Sequence, residues 1–219
     1  MSSPTFKDLA RLLRDASAMR TSRTSAMTRY CWHRFRRRQH LWLHQRATIE
    51  GIRNISTNGL LSVGTDPYEF ASPYDATLLR VQGKLIVHGQ YSIGSGTRID
   101  IGPRATMNIG AGFMNVGVKI LIRHSLQIGN HVFIGWNCTI LDDDLHHLNY
   151  ADQRVQNHGI RIGNKVWLGC NVTLLKGSII PDGCVVAANS LVNSKFDIPN
   201  TLLAGSPARV VKTNITWSE

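Results

Sequence analysis

Aspartate and histidine residues cluster near the middle of the chain, in residues 141–147. The ordinary pKa of an imidazole lies near neutral pH, so histidine is well suited to take a proton from a hydroxyl group that attacks a carbonyl carbon. Asp142, Asp144 and His146 form the pattern Asp-x-Asp-x-His, in which Asp144 or a backbone carbonyl could orient the ring. His147 is the neighbouring alternative to His146. The cluster predicts general-base chemistry.

A six-residue repeat surrounds this cluster and must position it. On its carboxyl side, one aliphatic residue returns at every sixth position: Ile162, Leu168, Leu174, Ile180, Val186, Val192 and Ile198. Two upstream runs keep the same interval: Val81, Val87, Ile93 and Ile99, then Val116, Ile122, Ile128, Ile134 and Ile140. A period of six fits neither an amphipathic helix nor a hairpin meander. It predicts a coil of short strands whose aliphatic side chains point inward and whose corners use Gly or Asn at positive φ.

The repeat is interrupted where the aspartates and histidines stand. Ile140 and Ile162 are 22 positions apart, which is not a multiple of six. We therefore expect a loop, at about 141–161, that leaves the coil and carries the functional residues. The interval also slips between residues 99 and 116, where Ile101, Met107 and Ile109 fall out of step, and this predicts bulges or a second loop.

The positive charge of the chain is concentrated at its amino end. Residues 1–46 contain eleven Lys and Arg residues and two Asp residues, whereas the remainder is close to neutral. This contrast predicts a basic arm at 1–46, a coil domain at 47–212 and a tail at 213–219. Apolar residues spaced three and four apart over 5–19 predict one amphipathic helix in the arm. The arm could bind an anionic membrane surface, pack on its own body or a neighbouring subunit, or bind nucleic acid, which is the least favoured partner.

Composition disfavours several classes of protein. No apolar run approaches the roughly 20 residues of a transmembrane helix, and no apolar block near the start is typical of a secretory signal. We expect a cytoplasmic protein, with a peripheral position at the inner membrane face as the alternative. The four cysteines have no CxxC spacing, so we expect neither a zinc site nor a disulfide framework.

Four segments together resemble the hexapeptide-repeat acyltransferases. They are the repeat over 115–212, the Asp-x-Asp-x-His pattern, the segment Ile162-Gly-Asn-Lys-Val-Trp-Leu-Gly, and the later segment Ala204-Gly-Ser-Pro-Ala-Arg-Val. The likeness is to bacterial O-acetyltransferases that act on sugars, capsules or lipopolysaccharides. It implies an all-β fold, a left-handed parallel β-helix with an extruded active-site loop, and a homotrimer with the coenzyme A site between subunits. It also implies direct transfer from acetyl-CoA to a sugar hydroxyl of a bacterial surface polysaccharide or its precursor.

The same resemblance assigns roles to individual residues. His146 would be the general base, with Asp144 beside it, and Asn115 and Trp167 would contact the acceptor. The N–H of Gly169 or Cys170 would stabilise the oxyanion. The residues expected along the coenzyme A groove are Cys170, Ala188 and Asn193, followed by Arg209 and Lys212 for the phosphates. One departure is Asn189, which stands where the family often has glycine.

Three other functions stay open at this point. The protein could be an N-acetyltransferase that acts on an amino sugar or a xenobiotic. It could be a metal-dependent β-helix enzyme of the γ-carbonic-anhydrase type, although His124, His131 and His146 lack the spacing of that family, and we expect no metal. It could also be a purely structural β-helix, which would not bind acetyl-CoA.

Overall fold

The computed structural model describes residues 6–67, 69–146 and 158–218. Within this part of the chain, short strands follow one another around a common axis and enter three parallel sheets in turn. The first sheet contains, numbered along the chain, β1 (His40–Leu43), β4 (Leu60–Val63), β7 (Tyr91–Ile93), β10 (Gly112–Met114), β13 (Val132–Ile134), β16 (Trp167–Leu168), β19 (Val185–Val186), β21 (Leu202–Gly205) and β22 (Ala208–Lys212).

The other two sheets complete a three-sided prism. The second contains β2 (Ala47–Glu50), β5 (Thr77–Val81), β8 (Arg98–Ile101), β11 (Lys119–Ile122), β14 (Thr139–Leu141), β17 (Thr173–Leu174) and β20 (Leu191–Val192). The third contains β3 (Ile55–Thr57), β6 (Lys84–Val87), β9 (Thr106–Ile109), β12 (Ser125–Ile128), β15 (Ile160–Ile162) and β18 (Ile179–Ile180). A single turn of 3-10 helix spans Ile52–Asn54. Among the described strands only β21 and β22 pair antiparallel. The all-β, left-handed parallel β-helix is confirmed.

The repeating aliphatic residues form one continuous core. Six of the seven members of the last run, Ile162 through Val192, are essentially inaccessible to solvent. Burial of each such side chain stabilises the fold by about 1.5–3 kcal/mol. The seventh, Ile198, is 48% exposed, because the last strand of the second sheet ends at Val192 and the chain then leaves the coil. Phe196 packs against the core there instead.

The predicted bulge or loop between residues 99 and 116 is wrong. Ile101, Met107 and Ile109 are fully buried members of regular strands. Coils differ in length: Leu174 pairs with Val192 18 positions later, whereas Ile99 pairs with Ile120 21 positions later. The longer coil has longer strands, such as Arg98–Ile101 and Thr106–Ile109, whereas Thr173–Leu174 and Ile179–Ile180 have two residues each. The six-residue interval therefore shifts while the sheets continue.

Two corners of the prism contain the residues predicted to be functional, and we call them the groove corner and the loop corner. The groove corner, between the first and second sheets, comprises residues 115–117, 135–137, 169–171 and 187–189. The loop corner, between the second and third sheets, comprises residues 123–124, 142–146, 175–176 and 193–194. The predicted positive φ at corners is confirmed in the groove corner, where Gly117, Asn137, Asn171 and Asn189 all adopt it. Asn189, at a φ of 59°, is therefore an ordinary corner residue of this coil.

The basic arm forms two helices, α1 (Phe6–Ala18) and α2 (Arg23–Arg37), that pack on the start of the coil. Leu12, Ala16, Ala26 and Tyr30 surround Trp42 of β1. The Tyr30 hydroxyl hydrogen-bonds to His40 Nδ1 at 2.8 Å. Strand β1 thus joins the first sheet before residue 47, and α2 packs against this strand. No helix in the described ranges is both long enough and apolar enough to span a membrane.

Candidate active site

The Asp-x-Asp-x-His segment leaves the coil directly after β14. Ile140 pairs with Leu174, 34 positions later, whereas the next coil repeats after 18, so the excess residues form an excursion at the loop corner. This confirms the expected break in the coil. His147 and the rest of 147–157 lie outside the described residues.

Asp142 anchors the start of the excursion. Its side chain is 0% exposed and accepts three backbone N–H groups of the coil below: Arg123 at 2.6 Å, and His124 and Ser125 at 2.8 Å each. Hydrogen bonds from N–H groups to a carboxylate are stronger than those between neutral groups. Sequence analysis left Asp142 as the first residue of a motif without a role of its own, and the structure makes it the fixed point of the loop.

His146 is exposed and oriented by its own loop. Its Nδ1 lies 3.1 Å from the carbonyl oxygen of Asp144. A carbonyl can only accept, so Nδ1 carries the proton and the Nε2 lone pair is left to take a proton from a substrate. Leu145, between the two, has a φ of 60°, a conformation that residues other than glycine rarely adopt. The local backbone thus orients the ring and leaves Nε2 available to accept a proton.

The Asp144 carboxylate has a different partner. It forms an ion pair with Lys176, which reaches across from the next coil at the same corner. Of the two orienting groups considered for His146, the backbone carbonyl of Asp144 contacts the ring. The Asp144 carboxylate instead joins the loop to the coil through Lys176. Lys176 was not identified from sequence, because a lysine after a buried strand resembles any solvated corner residue.

A second group of side chains gathers at the base of the excursion. His124 Nε2 lies 2.8 Å from Asp143 Oδ2, and His158 Nδ1 lies 3.7 Å from the same oxygen. The two imidazole rings stack with their centroids 4.1 Å apart. The hydrogen bond from His124, followed by that from the Leu145 N–H, lowers the pKa of Asp143. His131, the other histidine considered from sequence, is not part of this group.

A cavity of about 530 Å³ lies along the groove corner and the adjacent face of the first sheet. Asn115, Trp167, Cys170 and Ala188 all line it, and Trp167 is 46% exposed. Four aromatic residues missed by sequence analysis complete the walls: Phe113, Phe133, Trp136 and Trp217. Cavities with aromatic walls and a few polar groups are typical of sites for organic ligands.

The backbone of this cavity distinguishes the two oxyanion donors considered from sequence. The Gly169 N–H donates to the Val186 carbonyl at 2.8 Å, so this hydrogen bond between coils already occupies it. The Cys170 N–H has no hydrogen-bond acceptor within the described part of the chain. Close packing of coils explains the glycine, since a Cβ at position 169 would lie 2.7 Å from the Ala188 nitrogen.

Searches against known proteins find relatives of this chain. No protein-family model matches the chain. A curated relative from Klebsiella pneumoniae, an uncharacterized 24.8 kDa protein in the cps region, is 30% identical over 171 residues, which is 77% of each chain. A hexapeptide-repeat acetyltransferase from Vibrio cholerae is also 30% identical, over 56% of this chain and 70% of that one, with a TM-score of 0.48. The chain belongs to the hexapeptide-repeat acetyltransferases.

Two further solved structures align with the chain. A maltose O-acetyltransferase from Clostridium difficile is 27% identical, over 57% of this chain and 66% of that one, with a TM-score of 0.47. A second structure of the Vibrio cholerae acetyltransferase is a complex with acetyl-CoA, and it aligns at 23% identity and a TM-score of 0.42, over 97% of this chain and 90% of that one.

The residues that the acetyltransferase resemblance singled out fall into three places. Asn115, Trp167, Cys170 and Ala188 share the groove corner and its cavity. Asp144, His146 and Asn193 lie at the loop corner, and Asn193 is two coils beyond the loop. Arg209 and Lys212 lie exposed on β22. The strands of the second sheet separate the two corners by roughly 10 Å, so one chain does not bring His146 to the cavity.

Proposed function

We propose that the chain is an acetyl-CoA-dependent O-acetyltransferase that acetylates a sugar hydroxyl of a bacterial surface polysaccharide or its precursor. The observation that carries the proposal is His146, exposed on a loop of a hexapeptide-repeat coil with Nδ1 bonded to the Asp144 carbonyl at 3.1 Å. The relative in the cps region supports a polysaccharide acceptor, and the acetyl-CoA complex of the Vibrio cholerae relative supports the donor.

The proposed reaction is a direct transfer. His146 Nε2 takes the proton of the acceptor hydroxyl while the hydroxyl oxygen attacks the thioester carbonyl carbon. The Cys170 N–H stabilises the oxyanion of the tetrahedral intermediate. The intermediate collapses with cleavage of the C–S bond, and the imidazolium returns its proton to the departing coenzyme A sulfur. Asn115 and Trp167 position the acceptor, and Ala188 lies along the pantetheine arm, with Asn193, Arg209 and Lys212 further along the coenzyme.

The proposed assembly is a homotrimer in which the groove corner of one subunit meets the loop corner of the next. The separation of the two corners within one chain supports this arrangement, because the base and the cavity could then face each other only across a subunit contact. The exposed aromatic walls of the cavity also support a homotrimer, since monomeric proteins rarely expose large apolar patches.

Thiol release tests the proposed activity. Purified protein is incubated with acetyl-CoA and a panel of sugars, oligosaccharides and amino sugars, and free coenzyme A is followed with a thiol reagent while products are identified by mass spectrometry. We expect release that depends on a hydroxyl acceptor, and His146→Ala should lower kcat by about 10²–10⁴-fold. His88→Ala, on an exposed corner, is the matched control. Acetylation of amines alone, or equal rates in His146→Ala and the wild type, would contradict the proposal.

The arm gives the proposed enzyme a means of reaching a membrane-associated glycan. While one side of α2 packs on the coil, Trp32 and Phe35 remain exposed beside Arg34, Arg36 and Arg37. Basic and aromatic side chains on one helix face favour anionic lipid surfaces. We expect co-sedimentation with vesicles that contain phosphatidylglycerol, and its loss in a Trp32→Ser, Phe35→Ser double variant. Equal sedimentation of the two proteins would exclude this role for α2.

A further inference from the structure

Three segments that are distant in sequence converge at the base of the excursion. His124 follows β11, Asp143 follows β14, and His158 precedes β15. Their nearest donor atoms all lie within 4.8 Å of one another. Asp143 and His158 stand at the two ends of the segment that carries His146, and His124 belongs to the coil beneath them.

The spacing of the donor atoms suits a small cation. Zinc bound tetrahedrally at about 2.0–2.2 Å holds its ligand atoms about 3.3–3.5 Å apart. The two distances to Asp143 Oδ2, 2.8 Å from His124 Nε2 and 3.7 Å from His158 Nδ1, bracket that value. Small side-chain movements would equalise them, since all three side chains are partly exposed.

One polar atom of the His124, Asp143 and His158 cluster has no hydrogen-bond partner among the described residues. His158 Nδ1 is buried and makes no hydrogen bond to any described residue. A buried nitrogen without a partner costs free energy, and a metal ion would remove that cost. The nearby cations have other partners: the Arg123 guanidinium donates to Asp100 at 2.8 Å, and Lys176 pairs with Asp144.

We propose that His124, Asp143 and His158 form a binding site for a first-row divalent metal ion of the zinc type. Two imidazole nitrogens and one carboxylate oxygen suit zinc, cobalt or nickel better than magnesium or calcium, which prefer oxygen ligands throughout. The metal takes the place of the Nε2 proton of His124, and that ring then carries its proton on Nδ1. The fourth position is left to water.

The site would join both ends of the excursion to the coil. A cross-link between Asp143 and His158 closes the segment that carries His146 into a loop, and so reduces the conformational entropy that is lost on folding. The ion plays no part in the proton transfer assigned to His146. Metal binding and acetyl transfer therefore fail or succeed separately.

Metal titration of the untagged protein tests this site. Protein stripped with a chelator is titrated with Zn²⁺ by calorimetry and with Co²⁺ by visible absorption, which reports tetrahedral coordination directly. We expect one ion per chain and a rise in Tm on binding. His124→Ala, Asp143→Asn and His158→Ala should each weaken binding by at least about 100-fold, because even outer partners of metal ligands change affinity 10–100-fold. His88→Ala and His131→Asn, outside the cluster, should bind as the wild type does.

Two results would overturn the proposal. One is the absence of saturable uptake of Zn²⁺ and Co²⁺ by the wild type, which would leave the cluster as a hydrogen-bonded Asp–His pair. The other is equal affinity in the three cluster variants and the two controls. Wild-type protein that takes up no metal ion but still releases coenzyme A would refute this site and leave the proposed acetyl transfer standing.

Discussion

Replacement of Asp142 by Asn tests whether the loop is held as the structure indicates. The carboxylate is fully buried and its two oxygens accept three backbone N–H groups. An Asn side chain keeps one acceptor oxygen, so its NH₂ group must face either the Arg123 N–H or the N–H groups of His124 and Ser125. Hydrogen bonds to a charged acceptor contribute about 1.5–3 kcal/mol each, and a buried donor left without a partner costs about 1–3 kcal/mol.

We therefore expect Asp142→Asn to lower the free energy of unfolding by about 3–5 kcal/mol. For a protein of this size, Tm should fall by roughly 10 °C, given 2–4 °C per kcal/mol. Differential scanning calorimetry measures this change, and the same sample is assayed for coenzyme A release, which should fall because the loop loses its fixed point.

Asp182→Asn is the matched control, because the exposed Asp182 also accepts a corner N–H, that of Asn164, at 2.7 Å. We expect it to change stability by less than about 1 kcal/mol. A Tm of Asp142→Asn within the range of this control, with full activity, would refute the role of the buried carboxylate.

Three further predictions concern other parts of the molecule. Lys176→Met should lower kcat by about 10- to 100-fold with little change in KM for acetyl-CoA, because it removes the ion pair to Asp144 and lets His146 move. Lys176→Arg should restore most of the rate, and equal kcat values for the two variants would contradict this prediction. Gly169→Ala should lower the free energy of unfolding by about 1–3 kcal/mol in urea, because the new Cβ would lie 2.7 Å from the Ala188 nitrogen. An unchanged free energy of unfolding would mean that the coils are less closely packed. Burial raises the pKa of Asp66 to about 6, so the protein binds this proton more tightly when folded and loses stability as pH rises from about 4 to 6. Asp66→Asn should then be more stable than the wild type at pH 8 and no more stable at pH 4, which paired Tm measurements at the two pH values would show or exclude.

The coil could be predicted from sequence because its physical signal is local. Each inward aliphatic, such as Leu168 or Leu174, is followed six positions later by another, and tight corners select residues such as Asn171 that tolerate positive φ. The six-residue signal fails where the strands become longer than two residues or the coil ends. Ile101 and Met107 are buried in regular strands although they are out of step, and Ile198 is in step but exposed.

The site was predictable only in part, because its remaining residues meet through tertiary structure. Phe113 and Phe133 are outward residues of neighbouring strands, stacked at 4.5 Å, and nothing in their local sequence marks a cavity. Trp217 joins them from the tail. Likewise, His124 and His158 become neighbours only because consecutive coils stack at the loop corner.

Mixed assemblies test most directly the claim that His146 acts as a base on a substrate held by another chain. The experiment combines His146→Ala, which lacks the base, with Ala188→Trp, which fills the exposed cavity, after each variant alone has been shown to be inactive and folded. Random mixing at equal amounts should restore about a quarter of wild-type coenzyme A release, since one in four contacts between subunits then pairs an intact loop with an intact groove. No recovery, in mixtures shown by native mass spectrometry to contain both variants in one assembly, would contradict the account.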